Sequence, residues 1–119
     1  MNIKDIHNVY FIGIGGIGMS ALARYFRFID KNVAGYDKTE TPLTRELSDT
    51  GIAIHYEDDL KCILSAFKNM EDTLVVYTPA VAETHSEYQY FSKNNFNIKK
   101  RSEVLGLITK DSFCFAVAG

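Results

Sequence analysis

Cysteine is scarce in this chain of 119 residues: only Cys62 and Cys114 occur, far apart and outside any C-x-x-C pattern. That spacing excludes a disulfide framework and a thiolate zinc site, and leaves both as expected buried apolar residues. An excess of charge of either sign is also lacking: 13 Lys and Arg against 15 Asp and Glu give a formal net charge of −2. Such a balance supplies no field for nucleic acid, and Lys99-Lys100-Arg101 is the only basic cluster. No run approaches the ~18 apolar residues that span a bilayer. The opening Met1–His7 carries acids and no apolar h-region, so the expectation is a cytoplasmic protein with no membrane partner. Repeats and low-complexity tracts are absent too. A hydrophobic share of 46% with 24% charged residues argues against disorder, and the length fits one domain with a single core.

What the chain does have is glycine in one place. Tyr10-Phe11-Ile12-Gly13-Ile14-Gly15-Gly16-Ile17-Gly18-Met19-Ser20 sets a G-x-G-x-x-G turn between an apolar strand, Val9 to Ile14, and a helix. The helix is read with Gly18, Leu22, Tyr25 and Ile29 on one face and Ser20, Arg24 and Arg27 on another. In this context Gly13 and Gly15 allow a tight turn and close approach of a ligand, and Gly18 lets the helix pack near the strand. The first amides of the helix, around Gly16 to Met19, lack intrahelical acceptors and sit at the positive end of the helix dipole. A diphosphate satisfies both at once.

Strand and helix signals alternate to the end, which predicts an α/β fold: a Rossmann-like three-layer sandwich around a mostly parallel sheet of five or six strands, in the order 3-2-1-4-5. Further strands are expected at Asn32–Tyr36, Ile52–His55, Leu74–Tyr77, Ile98–Lys100 and Phe113–Val117. Thr41 and Pro42 suit the N-cap and first position of a short helix carrying Leu43 and Leu47, which Gly51 ends. Leu60, Ile63, Leu64 and Phe67 have the spacing of an amphipathic helix. Thr84 and Glu87 form a capping box for a helix with Tyr88 and Phe91 turned inward, and a last helix covers Ser102 to Ile108.

Several side chains are candidates for ligand contact. The Gly15, Gly16, Ile17 and Gly18 amides face the phosphates, with the Ser20 hydroxyl beside them. Asp37, at the carboxyl end of the second strand, suits ribose hydroxyls. Thr78-Pro79-Ala80 follows the fourth strand and belongs beside the glycine turn at the topological switch point. His55, His85 and Arg101 stand at element boundaries where a nucleotide or sugar comes within reach, or where a structural or solvated role serves equally well. His7 is read as a surface residue. Tyr25, Phe26, Tyr88, Tyr90 and Phe91 are spaced for packing.

Taken together, Phe11 to Ala23, Gly35-Tyr36-Asp37, Arg101-Ser102-Glu103-Val104-Leu105 and Ala116-Val117-Ala118-Gly119 resemble the amino-terminal domain of the Mur ligases, nearest to the members that attach L-alanine to UDP-N-acetylmuramate. The resemblance covers the whole chain. It implies that residues 1–111 hold the UDP part of UDP-N-acetylmuramate, with Gly13, Gly15, Gly16, Ile17, Gly18, Met19, Ser20, Asp37, Thr78, Pro79 and Ala80 as the binding set and no metal or catalytic residue among them. It further implies that residues 112–119 begin a central domain whose P-loop, Thr-His-Gly-Lys-Thr, follows Gly119 and binds ATP and Mg2+. The implied reaction phosphorylates the lactyl carboxylate of the sugar with ATP, after which the amine of L-alanine forms an amide. The chain departs from the family where it reads Thr78-Pro79-Ala80-Val81 for Ser-Ser-Ala-Ile and His85-Ser86-Glu87 for Asn-Pro-Glu, and where His55 is followed by Tyr56 instead of a Gly-His pair. Three alternatives stay open on the residues alone: a ligase that recycles murein tripeptide, an NAD-binding dehydrogenase domain, and a nucleotide-sensing module without chemistry.

Overall fold

A computed structural model describes residues 3–79, 81 and 84–111, the side chains of 109–111 excepted. Five strands form one sheet: β1 Asn8–Ile12, β2 Asn32–Tyr36, β3 Ala53–His55, β4 Thr73–Tyr77 and β5 Asn97–Lys100. Their order is β3-β2-β1-β4-β5 and all neighbours are parallel, as the alternating pattern predicts. β1 is buried along its whole length because helices cover both faces. The helices are α1 Ile17–Phe28, α2 Pro42–Asp49, α3 Ser86–Lys93 and α4 Arg101–Asp111.

Side chains alternate across the sheet with period two. Val9 and Phe11 join Met19, Leu22, Phe26, Leu47, Val104 and Ile108 under α1, α2 and α4. Tyr10 and Ile12 join Ile63, Phe67, Val75, Phe91 and Phe96 on the other side, under α3. Each fully buried large side chain contributes roughly 1.5–3 kcal/mol. Thr41 caps α2 by accepting from the Thr44 amide, and Thr44 returns the bond; Gly51, at φ 98°, lies just beyond its end.

Four local expectations are corrected. The buried stripe of α1 is Met19, Ser20, Leu22, Ala23 and Phe26, with Tyr25 and Ile29 only half-buried, so Ser20 faces inward and not to water. Residues 60–68 form two 3-10 turns, Leu60–Cys62 and Ser65–Lys68, instead of a helix. Thr84 does not cap α3; His85 holds the N-cap position without a side-chain bond, and Glu87 turns inward. Cys62 is only half-buried. The expected strand Phe113–Val117 and Cys114 lie outside the described residues.

Candidate functional site

β1 gives way to α1 through a turn stitched onto β2. Gly13 has φ 94°, a conformation that a side chain strains, and this turns its amide and that of Ile14 toward the Tyr36 carbonyl at 2.8 and 2.9 Å. Asp37, the next residue, accepts the Gly15 amide on Oδ2 at 2.7 Å and the Thr39 amide on Oδ1 at 3.1 Å. The Gly15 amide is thus held by Asp37 in this structure, and the Gly16 amide closes a turn on the Gly13 carbonyl at 3.4 Å. Among the described residues nothing accepts from the amides of Ile17, Gly18 and Met19, the first three of α1, whose N-cap Gly16 makes no side-chain bond. The unpaired donors and the positive end of the helix dipole therefore coincide one residue further along than the glycines alone suggest.

The side chains around these amides are already assigned. Met19 is 1% exposed, so it offers only its amide. The Ser20 hydroxyl donates to the Ile17 carbonyl at 2.8 Å inside the core. Gly18 owes its small size to Arg101: a β-carbon there would lie 2.4 Å from Arg101 Nη1 and 2.8 Å from its Cδ. The guanidinium at the start of α4 lies across the opening turn of α1, and among the described residues no acid or other acceptor engages it.

Above the carboxyl ends of β1, β2 and β4 opens a cleft of about 530 Å³, lined by Gly13, Gly16, Tyr36, Asp37, Lys38, Thr78, Val81 and His85. This is the crevice that an open parallel sheet offers a ligand. Thr78 stands beside Gly13 as expected, with Oγ1 3.5 Å from where a Gly13 β-carbon would be, and its carbonyl accepts the Val81 amide at 3.0 Å. Pro79 is exposed after the end of β4, and Ala80 lies outside the described residues.

His55 and His85 part company. His85 lines the cleft, its ring 4.7 Å from that of Tyr36. His55 does not line it: its Nε2 lies 2.6 Å from Glu87 Oε2 and 3.2 Å from the Tyr10 hydroxyl, behind the Tyr36 ring. His7 is exposed, 3.3 Å from Asp72. The sequence assigns no site role to Tyr10 or Asp58, and Glu87 is expected only as part of a cap with Thr84. Asp58 accepts the Ser86 amide at 3.0 Å and the Glu87 amide at 3.3 Å, so it caps α3 from the loop after β3. Its Oδ1 is also 3.2 Å from His85 Nδ1, outside hydrogen-bond geometry. Burial acts to raise the Asp58 carboxyl, but the Ser86 amide, His85 and the Glu87 amide outweigh it and hold it below the ordinary carboxylate range. The Tyr10 hydroxyl is pushed far up by burial and by Glu87. Tyr36 is also raised, by burial first and then by Asp58, Glu87 and Asp37.

Replacing Asp58 by alanine is expected to cost about 1 kcal/mol at pH 7 through the lost cap. Because the folded value lies below the unfolded one, the contribution is present above the unfolded pKa and fades as pH falls through the folded value. The gap in Tm between wild type and Asp58→Ala should therefore shrink from pH 7 to pH 3 in paired melts.

The sequence profile described as "Mur ligase family, catalytic domain" matches residues 8–113. A UDP-N-acetylmuramate–L-alanine ligase of Flavobacterium psychrophilum is 63% identical over 119 residues, which is 100% of this chain and 26% of the relative. The enzyme of the same name from Parabacteroides distasonis is 56% identical over the same shares. Among solved structures, UDP-N-acetylmuramate-alanine ligase from Thermotoga maritima superposes with a TM-score of 0.77 at 30% identity, over 87% of this chain and 23% of that one. A murein peptide ligase from Psychrobacter arcticus shares the fold, with a TM-score of 0.72 at 18% identity over 90% of this chain and 21% of that one. The chain spans about a quarter of the length of the curated relatives it matches. With the profile covering nearly all of it, the chain belongs to the Mur ligase family.

Proposed function

We propose that this chain holds the UDP part of UDP-N-acetylmuramate for a ligase that adds L-alanine to it in peptidoglycan synthesis. The observation that carries the reading is the convergence, among the described residues, of three amides without acceptors, Ile17 to Met19, with an Arg101 guanidinium that no acceptor engages, directly after the cleft-lining Gly16. The amides and Arg101 take the diphosphate, as helix starts do. Asp37 accepts from the ribose hydroxyls, since each of its oxygens keeps a second acceptor direction beside the bonds from Gly15 and Thr39. Thr78 closes the wall beside Gly13, and Pro79 and Ala80, which follow it in the chain, are assigned to the same binding set. The residues bind and orient; none performs chemistry. L-alanine, ATP and Mg2+ are assigned to the part of the relatives' length that this chain does not span, and nucleic acid has no role. The described residues contain no helix long and apolar enough to cross a membrane, and we place the protein in the cytoplasm.

Thermal unfolding with added nucleotide tests the reading. At a hundredfold excess over Kd, UDP or UDP-N-acetylmuramate is expected to stabilise the chain by about 2.7 kcal/mol, a rise in Tm of roughly 10 °C. NAD at the same concentration should leave Tm unchanged. Protection by NAD without protection by UDP overturns the proposal in favour of a dehydrogenase-type domain.

A further inference from the structure

At the far wall of the cleft two elements exchange an acid for a histidine. β3 ends in His55 and its loop carries Asp58; α3 is preceded by His85 and opens with Ser86 and Glu87. Glu87 Oε2 lies 2.6 Å from His55 Nε2, and Asp58 Oδ1 lies 3.2 Å from His85 Nδ1, so the two pairs cross between the same two elements. Tyr10, from the middle of β1, donates to Glu87 Oε1 at 2.5 Å. Glu87 is 0% exposed.

Stability alone gives no reason for this carboxylate. Burying an acid carries a desolvation penalty that its partners offset at best, and an apolar residue of similar size serves a core as well. What the network does instead is set positions. The Tyr36 ring lies between the two histidines, 5.8 Å from His55 and 4.7 Å from His85, and Tyr36 and His85 are the part of this wall that faces the cleft. Both ring nitrogens of His85 are buried without a hydrogen-bond partner among the described residues, so no hydrogen bond of its own fixes the ring; its place beside Asp58 and Tyr36 depends on the start of α3, which Glu87 anchors and Asp58 caps. We propose that Glu87 is a positioning residue for the nucleotide cleft: held by Tyr10 and His55, it seats the first turn of α3 so that His85 and Tyr36 present a preformed wall to the ligand. Glu87 does not touch the ligand, and the effect on affinity rests on the reading of the cleft as a UDP site.

Glu87→Gln keeps the shape and an acceptor for Tyr10 while removing the charge; Tyr10→Phe removes the anchor and keeps the charge. Both are compared with Phe26→Leu, a core change on the opposite face of the sheet that lowers stability without touching this wall. UDP affinity is read by titration calorimetry, and the His55 and His85 rings by nitrogen-proton correlation spectra. Glu87→Gln is expected to weaken UDP binding roughly tenfold, the lower end of what loss of an outer-shell partner does elsewhere, and Tyr10→Phe several-fold. The His85 ring signals should move in both variants, although neither replaced side chain bonds to His85, while Phe26→Leu leaves affinity and His85 signals unchanged. A folded Glu87→Gln that binds UDP like wild type with unmoved His85 signals overturns the proposal; if that variant fails to fold, the same result in Tyr10→Phe does so. Should wild type itself not bind UDP, the nucleotide reading fails and the His85 signals alone decide whether Glu87 seats the wall.

Discussion

Replacing Gly35 by alanine is expected to destabilise the chain by about 3 kcal/mol or more and to lower Tm by roughly 10 °C or more. Gly35 sits in β2 opposite Phe11 of β1. A β-carbon there would lie 2.7 Å from the Phe11 carbonyl oxygen and 2.9 Å from Ile14 Cδ1. The first contact is with the backbone of the central strand, which has no room to yield between β2 and β4, and the second is with a side chain that is fully buried. Relief therefore requires β1 and β2 to separate or Ile14 to leave the core. The latter would break the turn whose Gly13 and Ile14 amides end on the Tyr36 carbonyl. The sign makes the measurement decisive. In an uncrowded strand the same substitution gains about 0.5–1 kcal/mol, because alanine loses less chain entropy than glycine on folding. A Tm equal to or above that of wild type would show that the two strands do not approach as closely as described.

The same residue shows what the sequence can and cannot reveal. Gly35-Tyr36-Asp37 is visible as the end of a strand, and Asp37 as a carboxylate at the mouth of the sheet, since both follow from order along the chain. Strand order was legible for a similar reason: alternating strands and helices with right-handed crossovers leave few arrangements. Contacts between distant residues were not. The spacing of Leu60, Ile63, Leu64 and Phe67 satisfies a helix, yet Ile63 and Leu64 are extended, at ψ 117° and 145°, because Asp59 caps the Lys61 amide and Asn8 holds the Ala66 carbonyl. Only Ile63 and Phe67 reach the core, and tertiary bonds override propensity in so short a segment. Thr84 and Glu87 likewise have the spacing of a capping box, but Glu87 is claimed by Tyr10, 77 residues away, and the cap comes from Asp58, 28 residues before Ser86. The glycine turn was recognisable from its own residues, whereas Asp37 holding the Gly15 amide and Arg101 lying over Gly18 depend on where the sheet and α4 bring the chain back.

Gly18→Ala is expected to weaken UDP binding roughly 10- to 100-fold, the range of one charge-assisted hydrogen bond, while leaving stability unchanged or slightly higher. The β-carbon would strike Arg101 Nη1 and Cδ, the far part of an exposed flexible side chain, so the guanidinium swings aside at little cost. The helix itself gains, since alanine is up to about 1 kcal/mol better than glycine within a helix. Affinity and stability thus move in opposite directions, which a folding defect cannot mimic. The expected loss follows from electrostatics in the unliganded chain. A guanidinium laid against the positive end of a helix, with no acid engaging it among the described residues, is repelled by that end until an anion sits between them. On the proposed reading of the site, the diphosphate supplies the anion. Arg101→Ala should therefore reproduce the loss, and the double variant should bind no more weakly than the single ones, because both changes remove the same contact. Added salt should weaken UDP binding less in Arg101→Ala than in wild type. Wild-type affinity in a folded Gly18→Ala would show that the diphosphate is gripped by the Ile17 to Met19 amides alone, and that Gly18 serves only to let α4 close over α1.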